Sequence, residues 1–250
     1  MIYMIILSVL FFITAILYSS VGFGGGSTYL ALLLIWGIPY YIFPVIALMC
    51  NIIVVSGNSF NYIRAGNHNF RLLLPFLIGS IPFAYLGGTL KIDKEFFEIL
   101  LFFVLSIAGV LLLINNKSYK NDNQIIKKIN FSYSLIIGSV LGLISGIVGI
   151  GGGIFLSPIL FLLKAEKPKI ITTTASLFIL INSISGILGQ FTKDNTFQEL
   201  INYWPLFLSV LIGGLVGNYL NLKIFSNRIL TILTSLLVIF VSIRIGIKLL

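Results

Sequence analysis

Two glycine clusters carry the sharpest chemistry in this chain: Gly22-Phe23-Gly24-Gly25-Gly26-Ser27 and Gly149-Ile150-Gly151-Gly152-Gly153. A phosphate loop is the soluble reading, but no Gly-Lys-Ser/Thr follows either cluster, no strand pattern precedes it and no acidic residue suits a ribose. The apolar segments behind the clusters, Ser27 to Trp36 and Ile154 to Leu163, are about 10 residues long and would rise about 15 Å, half the hydrocarbon thickness of a bilayer. A half-helix that starts at mid-membrane presents unpaired N–H groups and the positive end of its dipole. That is an anion site made without a charged side chain. Tight helix packing is the competing reading, because Gly22-x-x-x-Gly26, Gly142-x-x-x-Gly146, Gly149-x-x-x-Gly153 and Gly213-x-x-x-Gly217 all have the spacing for it. The clusters favour the substrate reading, and Gly142, Gly146, Gly213 and Gly217 favour packing.

Polar residues inside apolar runs form the second candidate set: Ser27, Thr28, Asn51, Asn58, Asn61, Thr172, Thr173, Thr174, Ser176, Asn182, Ser183 and Gln190. Asn and Gln are costly in hydrocarbon unless paired, so they face a bundle interior or a water path. Thr174, Ser176 and Asn182 rank first among them as substrate contacts, with Asn51 and Gln190 beside them. No Asp or Glu lies deep in an apolar run, and Glu98 comes nearest. A carboxylate proton relay is therefore not expected. Outward movement of an anion needs none, since a negative-inside potential releases about 2.3 kcal/mol per charge per 100 mV. His68 is the single histidine and Cys50 the single cysteine, so no metal cluster, internal disulfide or Ser-His nucleophile at Ser27 is expected.

The elements that hold these residues are membrane helices. Of 250 residues, 58% are hydrophobic and 9% charged, far below the roughly 25% charged of soluble domains. No Asp, Glu, Lys or Arg precedes Arg64. Further uncharged runs fill the chain, which leaves no room for a soluble domain. The net charge of +9 comes from cations in short loops, a topology signal and not a nucleic-acid surface. The N-terminal stretch lacks a basic n-region and an Ala-x-Ala site, and reads as a retained first helix.

The two halves repeat. Gly22 to Gly26 recurs as Gly149 to Gly153, Ile38-Pro39 as Lys167-Pro168, Ser56-Gly57 as Ser185-Gly186, and Gly87 as Gly217. Each half predicts a long segment, a glycine cluster, a short segment, then three long ones: 2–21, 26–37, 40–60, 70–90 and 95–114, followed by 130–148, 153–163, 169–190, 202–221 and 227–249. Repeat 1 covers about 1–116, a linker about 117–128 and repeat 2 about 129–250, together a single transmembrane domain of 8–10 segments. Five passes per half make the repeats inverted. The alternation puts 11 cations (Arg64, Arg71, Lys117, Lys120, Lys127, Lys128, Lys164, Lys167, Lys169, Lys223, Arg228) on one side and 5 (Lys91, Lys94, Lys193, Arg244, Lys248) on the other. The richer side should be cytoplasmic.

Gly24-Gly25-Gly26-Ser27, the Gly149 to Gly153 cluster followed by Pro158, and Thr172-Thr173-Thr174-Ala175-Ser176 resemble the TauE/SafE sulfite exporter family over nearly the whole chain. The resemblance implies a bacterial or archaeal cytoplasmic-membrane permease that moves sulfite, sulfoacetate or related organosulfur anions, usually outward. One departure is that the first half has Ala47-Leu48-Met49-Cys50-Asn51 where the second has Thr174-Ala175-Ser176, so Asn51 would stand in for the hydroxyls.

The expectation is an all-α polytopic membrane protein of two inverted repeats, a secondary transporter and not an enzyme, with no cofactor and no metal. Its substrate would be held by Gly24, Gly25, Gly26, Ser27, Asn51, Gly151, Gly152, Gly153, Thr174, Ser176, Asn182 and Gln190. Its partners would be a small anion and membrane lipid, with a homo-oligomer left open and nucleic acid excluded. A non-transporting membrane subunit is the rival reading.

Overall fold

The structure, a computed structural model, describes residues 2–115, 126–193 and 199–221, together with 239, 242, 243, 246 and 247. In chain order the helices are α1 (Ile2–Val21), α2 (Gly26–Ile35), α3 (Phe43–Arg64), α4 (Phe70–Thr89), α5 (Lys94–Asn115), α6 (Phe131–Val148), α7 (Gly153–Leu162), α8 (Pro168–Gln190) and α9 (Trp204–Asn221), with 3-10 turns at Tyr40–Ile42 and Ile201–Tyr203. Six of these segments are long and apolar enough to cross a membrane, while α2 and α7 have 10 residues each. The protein is an all-α polytopic membrane protein. The expected segments agree closely with the helices, except that α3 runs on to Arg64 and not to about 60. The expected segment 227–249 and most of the linker 117–128 lie outside the described residues.

Local chemistry sets the boundaries. α1 ends at Gly22 (φ 86°), where the Gly22 and Phe23 N–H groups bond back to Ser19 O at 3.2 Å and Tyr18 O at 2.9 Å. α6 ends at Gly149 (φ 91°), which donates to Ser145 O at 2.8 Å. Left-handed residues at a helix C-terminus are usually glycine because a Cβ is penalised there. Asn69 and Asn130 cap α4 and α6 by accepting from Leu72 N and Ser132 N, each at 3.2 Å. Pro44 and Pro168 occupy first turns, where a missing N–H costs nothing.

Helix direction follows from matched contacts. Ser59 pairs with Ser176 at 3.1 Å and Leu48 lies against Gly186, so α3 and α8 are antiparallel. Gly138, Gly142 and Gly146 of α6 pack in parallel register against the Phe76, Ser80 and Ala84 carbonyls of α4. Ser185 of α8 donates to Ile81 O of α4 at 2.6 Å and Gly189 lies on Tyr85 O, so α8 shares that direction. On the other side Gly213 and Gly217 of α9 meet the Phe12 and Ile16 carbonyls of α1, while Gly214 lies on Val54 of α3 and Gly57 faces Asn218. Thus α1, α3 and α9 run one way, and α4, α6 and α8 run the other. Each half lends its third long helix, α4 or α9, to the other half's bundle.

Lipid replaces water as the outer solvent. Ile5, Ile6, Val9 and Ile13 of α1, Leu74, Ile78, Phe83 and Leu86 of α4, and Leu208, Leu211, Ile212 and Leu215 of α9 are exposed, far more apolar surface than a soluble monomer leaves open. Between helices, where lipid is as apolar as leucine, close backbone approach supplies the packing. A Cβ on Gly142 would lie 2.7 Å from the Ser80 Cα. Gly142→Val should therefore destabilise the protein by about 1–3 kcal/mol, seen as a drop of several degrees in its melting temperature in detergent. Gly37→Asn, at φ 67° with nothing within 4 Å of a new Cβ, should change it little, because Asn tolerates this conformation.

Candidate functional site

The two glycine turns approach one point from opposite ends of the bundle. The first leaves α1 beside Tyr62 and Thr172, since a Cβ on Gly22 would lie 2.6 Å from Tyr62 Oη and 2.8 Å from Thr172 Cγ2. It then climbs to Gly24 and Gly26, which abut the Asn51 side chain. The second leaves α6 beside Pro44, where a Cβ on Gly149 would meet the Pro44 Cα at 2.5 Å, and reaches Asn51 and Ser183 at Gly151. Asn51 Nδ2 donates to Gly149 O at 3.3 Å. A Cβ on Gly26 would lie 3.0 Å from Ile150 O and 2.8 Å from Asn51 Nδ2. One asparagine therefore lies between both turns.

From this point the half-helices diverge. Gly25 (φ 89°) and Gly152 (φ 75°) are their N-caps, and neither offers a side-chain cap. The first bonds within α2 come from Thr28 N and Tyr29 N to Gly25 O, and within α7 from Phe155 N and Leu156 N to Gly152 O. The N–H groups ahead of them, at Gly26, Ser27, Gly153 and Ile154, have no partner inside their own helix. Tyr29 stacks on Phe11 at 4.7 Å, so α2 returns alongside α1. Nearly all of α2 and α7 is buried in protein, as a broken helix at membrane depth requires.

Two buried polar atoms with no hydrogen-bond partner among the described residues, Asn51 Oδ1 and Ser183 Oγ, lie here. Their residues are fully buried, and such orphans call for an explanation. Ile150, Ile154 and Ile179 wall the centre together with Phe23 and Tyr18, around a cavity of about 10 Å³. That is about one water sphere. The geometry is thus a closed one.

The expected site residues separate into levels. Gly24, Gly26, Asn51 and Gly151 meet at the centre, joined by Ser183. Ser27 is adjacent, its Oγ 3.2 Å from Tyr18 Oη, which also lies 2.8 Å from Thr28 Oγ1. Gly25 faces Tyr29 and Thr14, Gly152 faces Phe178, and Gly153 rests on Ile179 and Ala175 O. Asn182 donates to Phe178 O of its own helix at 2.8 Å. Ser176 lies one level away, paired with Ser59, and Thr174 spends its hydroxyl on Ile170 O at 2.8 Å. Gln190 lies at an end of the bundle. Tyr18 and Ser59 escaped sequence reasoning because a lone Tyr or Ser in an apolar run carries no spacing signal. His68 is half-buried against the Phe70 ring at 4.9 Å.

Comparison with known proteins agrees with this architecture. The family model for the sulfite exporter TauE/SafE matches residues 7–245. The chain belongs to the TauE/SafE sulfite exporter family. It is similar to a probable membrane transporter protein of Sinorhizobium fredii, 25% identical with 92% of this chain and 93% of that protein covered. It is also similar to one of Methanocaldococcus jannaschii, 28% identical with 85% and 83% covered, and to one of Bacillus subtilis, 26% identical with 87% and 90% covered. No solved structure matches the chain. The protein is a multi-pass membrane transporter and not an enzyme.

Charged groups of this transporter collect at the two ends. Asn69 donates to Glu166 Oε1 at 2.9 Å and Lys127 N to Lys164 O at 3.0 Å, so the loops with Arg64, Arg71, Lys127, Lys128, Lys164, Lys167 and Lys169 share one end. Lys91 and Lys193 share a pocket at the other. Lys193 donates to Gln190 Oε1 at 2.9 Å, and Gln190 Nε2 donates to Gly146 O at 2.8 Å. Partial burial, then repulsion from Lys91, lowers the Lys193 pKa from the usual 10.5 to about 8. The folded state thus disfavours the charged lysine, a penalty fully present below pH 8 that disappears as pH rises toward 10.5. Wild-type stability relative to Lys193→Gln should rise between pH 8 and pH 10.5, measured as the difference in melting temperature. A flat difference would contradict it.

Proposed function

We propose that this transporter exports sulfite or a small organosulfur anion across the cytoplasmic membrane, holding it at mid-membrane between the two glycine turns. The observation that carries the reading is the meeting of two uncapped half-helix N-termini at the buried Asn51. Two dipole ends favour negative charge and N–H donors suit oxyanion oxygens. The Asn51 amide and the Ser183 hydroxyl add hydrogen bonds, and Gly24, Gly25, Gly26, Ser27, Gly151, Gly152 and Gly153 supply backbone. Thr174, Ser176 and Asn182 line the path on the α8 side. No fixed cation is needed, so release is not opposed by an ion pair.

The chain works as one transport domain made of inverted halves, about 1–116 and about 129–250. The opposed directions of α1, α3 and α9 against α4, α6 and α8 support that reading. Glycine seams lock α9 onto α1 and α6 onto α4, whereas the two bundles meet chiefly where α3 crosses α8. Rocking of one bundle against the other would open the closed centre to each side in turn, the usual mode for repeat-built transporters. The cation-rich end faces the cytoplasm.

Gly26→Ala tests the site with a single methyl group at an ordinary backbone conformation. It should cut sulfite flux more than tenfold in proteoliposomes matched for folded, reconstituted protein, with a lowered melting temperature because the new Cβ crowds Asn51 Nδ2 and Ile150 O. In the wild type one sulfur anion out of sulfite, thiosulfate, sulfoacetate, sulfate and chloride should stabilise the purified protein, by about 2.7 kcal/mol at 100 times its dissociation constant. Full flux in Gly26→Ala would refute the site, and no stabilisation by any of the five would refute the anion.

A further inference from the structure

Between the centre and the cation-rich end, α3 and α8 meet in layers about one helical turn apart. Asn51, Val55 and Ser59 follow one another along α3, while Ser183, Ile179 and Ser176 follow along α8 in the opposite direction. Steps of three or four residues keep to one helix face and rise about 5–6 Å each. The first layer is the point where the glycine turns meet. In the second, Val55, Ala175 and Ile179 join Tyr18, Val21 and Phe23 in a buried apolar cluster separate from the main core. In the third, Ser59 and Ser176 share a buried hydrogen bond of 3.1 Å. We infer that the second and third layers form the gate between the centre and the cation-rich end, with Val55 and Ile179 as its apolar plug and the Ser59–Ser176 bond as its latch.

Three observations carry this. The plug is the floor of the central cavity, since Tyr18, Phe23 and Ile179 line that space of about 10 Å³. Packed apolar side chains offer a passing anion nothing in place of its hydration shell, so the layer is a barrier until it parts. The latch, in turn, joins helices that are otherwise fastened to different bundles. Asn58 Oδ1 accepts from Ser19 at 3.2 Å and Asn61 donates to Asn218 Oδ1 at 3.1 Å, which ties α3 to α1 and α9. Ser185 and Gln190 tie α8 to the Ile81 carbonyl of α4 and the Gly146 carbonyl of α6. Because the plug is detached from the main core, the layers can part without breaking the core of either bundle. Parting the latch also turns two hydroxyls into donors for an oxyanion entering from that end.

A turn beyond the latch, Tyr62 and Thr172 both lie against Gly22 at the end of α1. The first glycine turn is therefore seated on the same stack, and its position is coupled to the gate. The inference rests on the proposed movement of one bundle against the other, and it assigns the barrier on this side of the centre to named side chains. Val55 and Ser59 act by setting how often the centre opens to this end. A shortened side chain in the gate shifts the balance toward that opening and away from the opposite one.

The experiment follows access to a cysteine at the centre, Ser183→Cys, in sealed vesicles of known orientation and without sulfite, which would attack the probe. That probe is sulfonatoethyl methanethiosulfonate, a small membrane-impermeant thiol reagent, and the wild type with Cys50 alone gives the background. Ser183→Cys should react from both faces. Adding Val55→Ala, or Ser59→Ala, which opens no space in the plug, should speed the reaction from the cation-rich face more than threefold and slow it from the other. Unchanged rates, or equal acceleration from both faces as general loosening would give, would overturn the gate. Ser59→Cys by itself should react from the cation-rich face only, and reaction from the opposite face or from neither would overturn the gate as well. No reaction of Ser183→Cys from either face would instead contradict the moving centre, and Ser59→Cys then decides the gate alone.

Discussion

Every structural choice in this protein follows from one constraint, that backbone interrupted at mid-membrane must find its partners in protein. Water is absent there and each unsatisfied group costs several kcal/mol. The chain interrupts itself twice, at Gly22 to Gly25 and at Gly149 to Gly152, and then buries both interruptions. Asn51 bonds to one turn and lies against the other. The long helices α3 and α8 enclose them, which is why these two are the most buried of the six candidate spans. What the turns leave without a partner inside their own helices are the first N–H groups of α2 and α7.

The centre where the turns meet explains the economy of charge. A fixed lysine at mid-membrane would bind an anion and retain it, besides being expensive to insert. Helix ends distribute partial positive charge without a counter-ion and leave no charge behind when the ligand departs. The described lysines lie at the ends, where charge is cheap. The same logic separates the glycines into two kinds. Gly142, Gly146, Gly213 and Gly217 lie on neighbouring carbonyls and serve packing, while Gly24, Gly26 and Gly151 lie on Asn51.

Sequence reasoning reached the helices and both half-helices because composition, periodicity and repeat all bear on them. Lys164 and Glu166 break the second half visibly, and repeat equivalence carried that break to Pro39 in the first, where no charge marks it. The glycines that reasoning of that kind assigned to packing, Gly142, Gly146, Gly213 and Gly217, lie on neighbouring carbonyls. Such reasoning could not order the polar residues by depth. Thr174, Ser176 and Gln190 share a helix with Ser183, yet only contacts across helices place Ser183 at the centre, Ser176 against Ser59 and Gln190 under Lys193. Spacing along one helix defines a face, and a site needs the register between helices as well. Lys193 read only as a topology signal for the same reason.

The most direct measurement is sulfite binding by Asn51→Asp. The substitution keeps size and shape while placing a negative charge between the two half-helix ends. That charge is favourable to the dipoles and hostile to an anion. The account predicts a protein that still folds, less stable than the wild type because the substitution loses the bond to Gly149 O and buries a charge, and that sulfite no longer stabilises at any concentration up to a hundred times the wild-type dissociation constant. Wild-type sulfite affinity in Asn51→Asp would contradict it, because the anion would then have to bind away from the point where the two glycine turns meet.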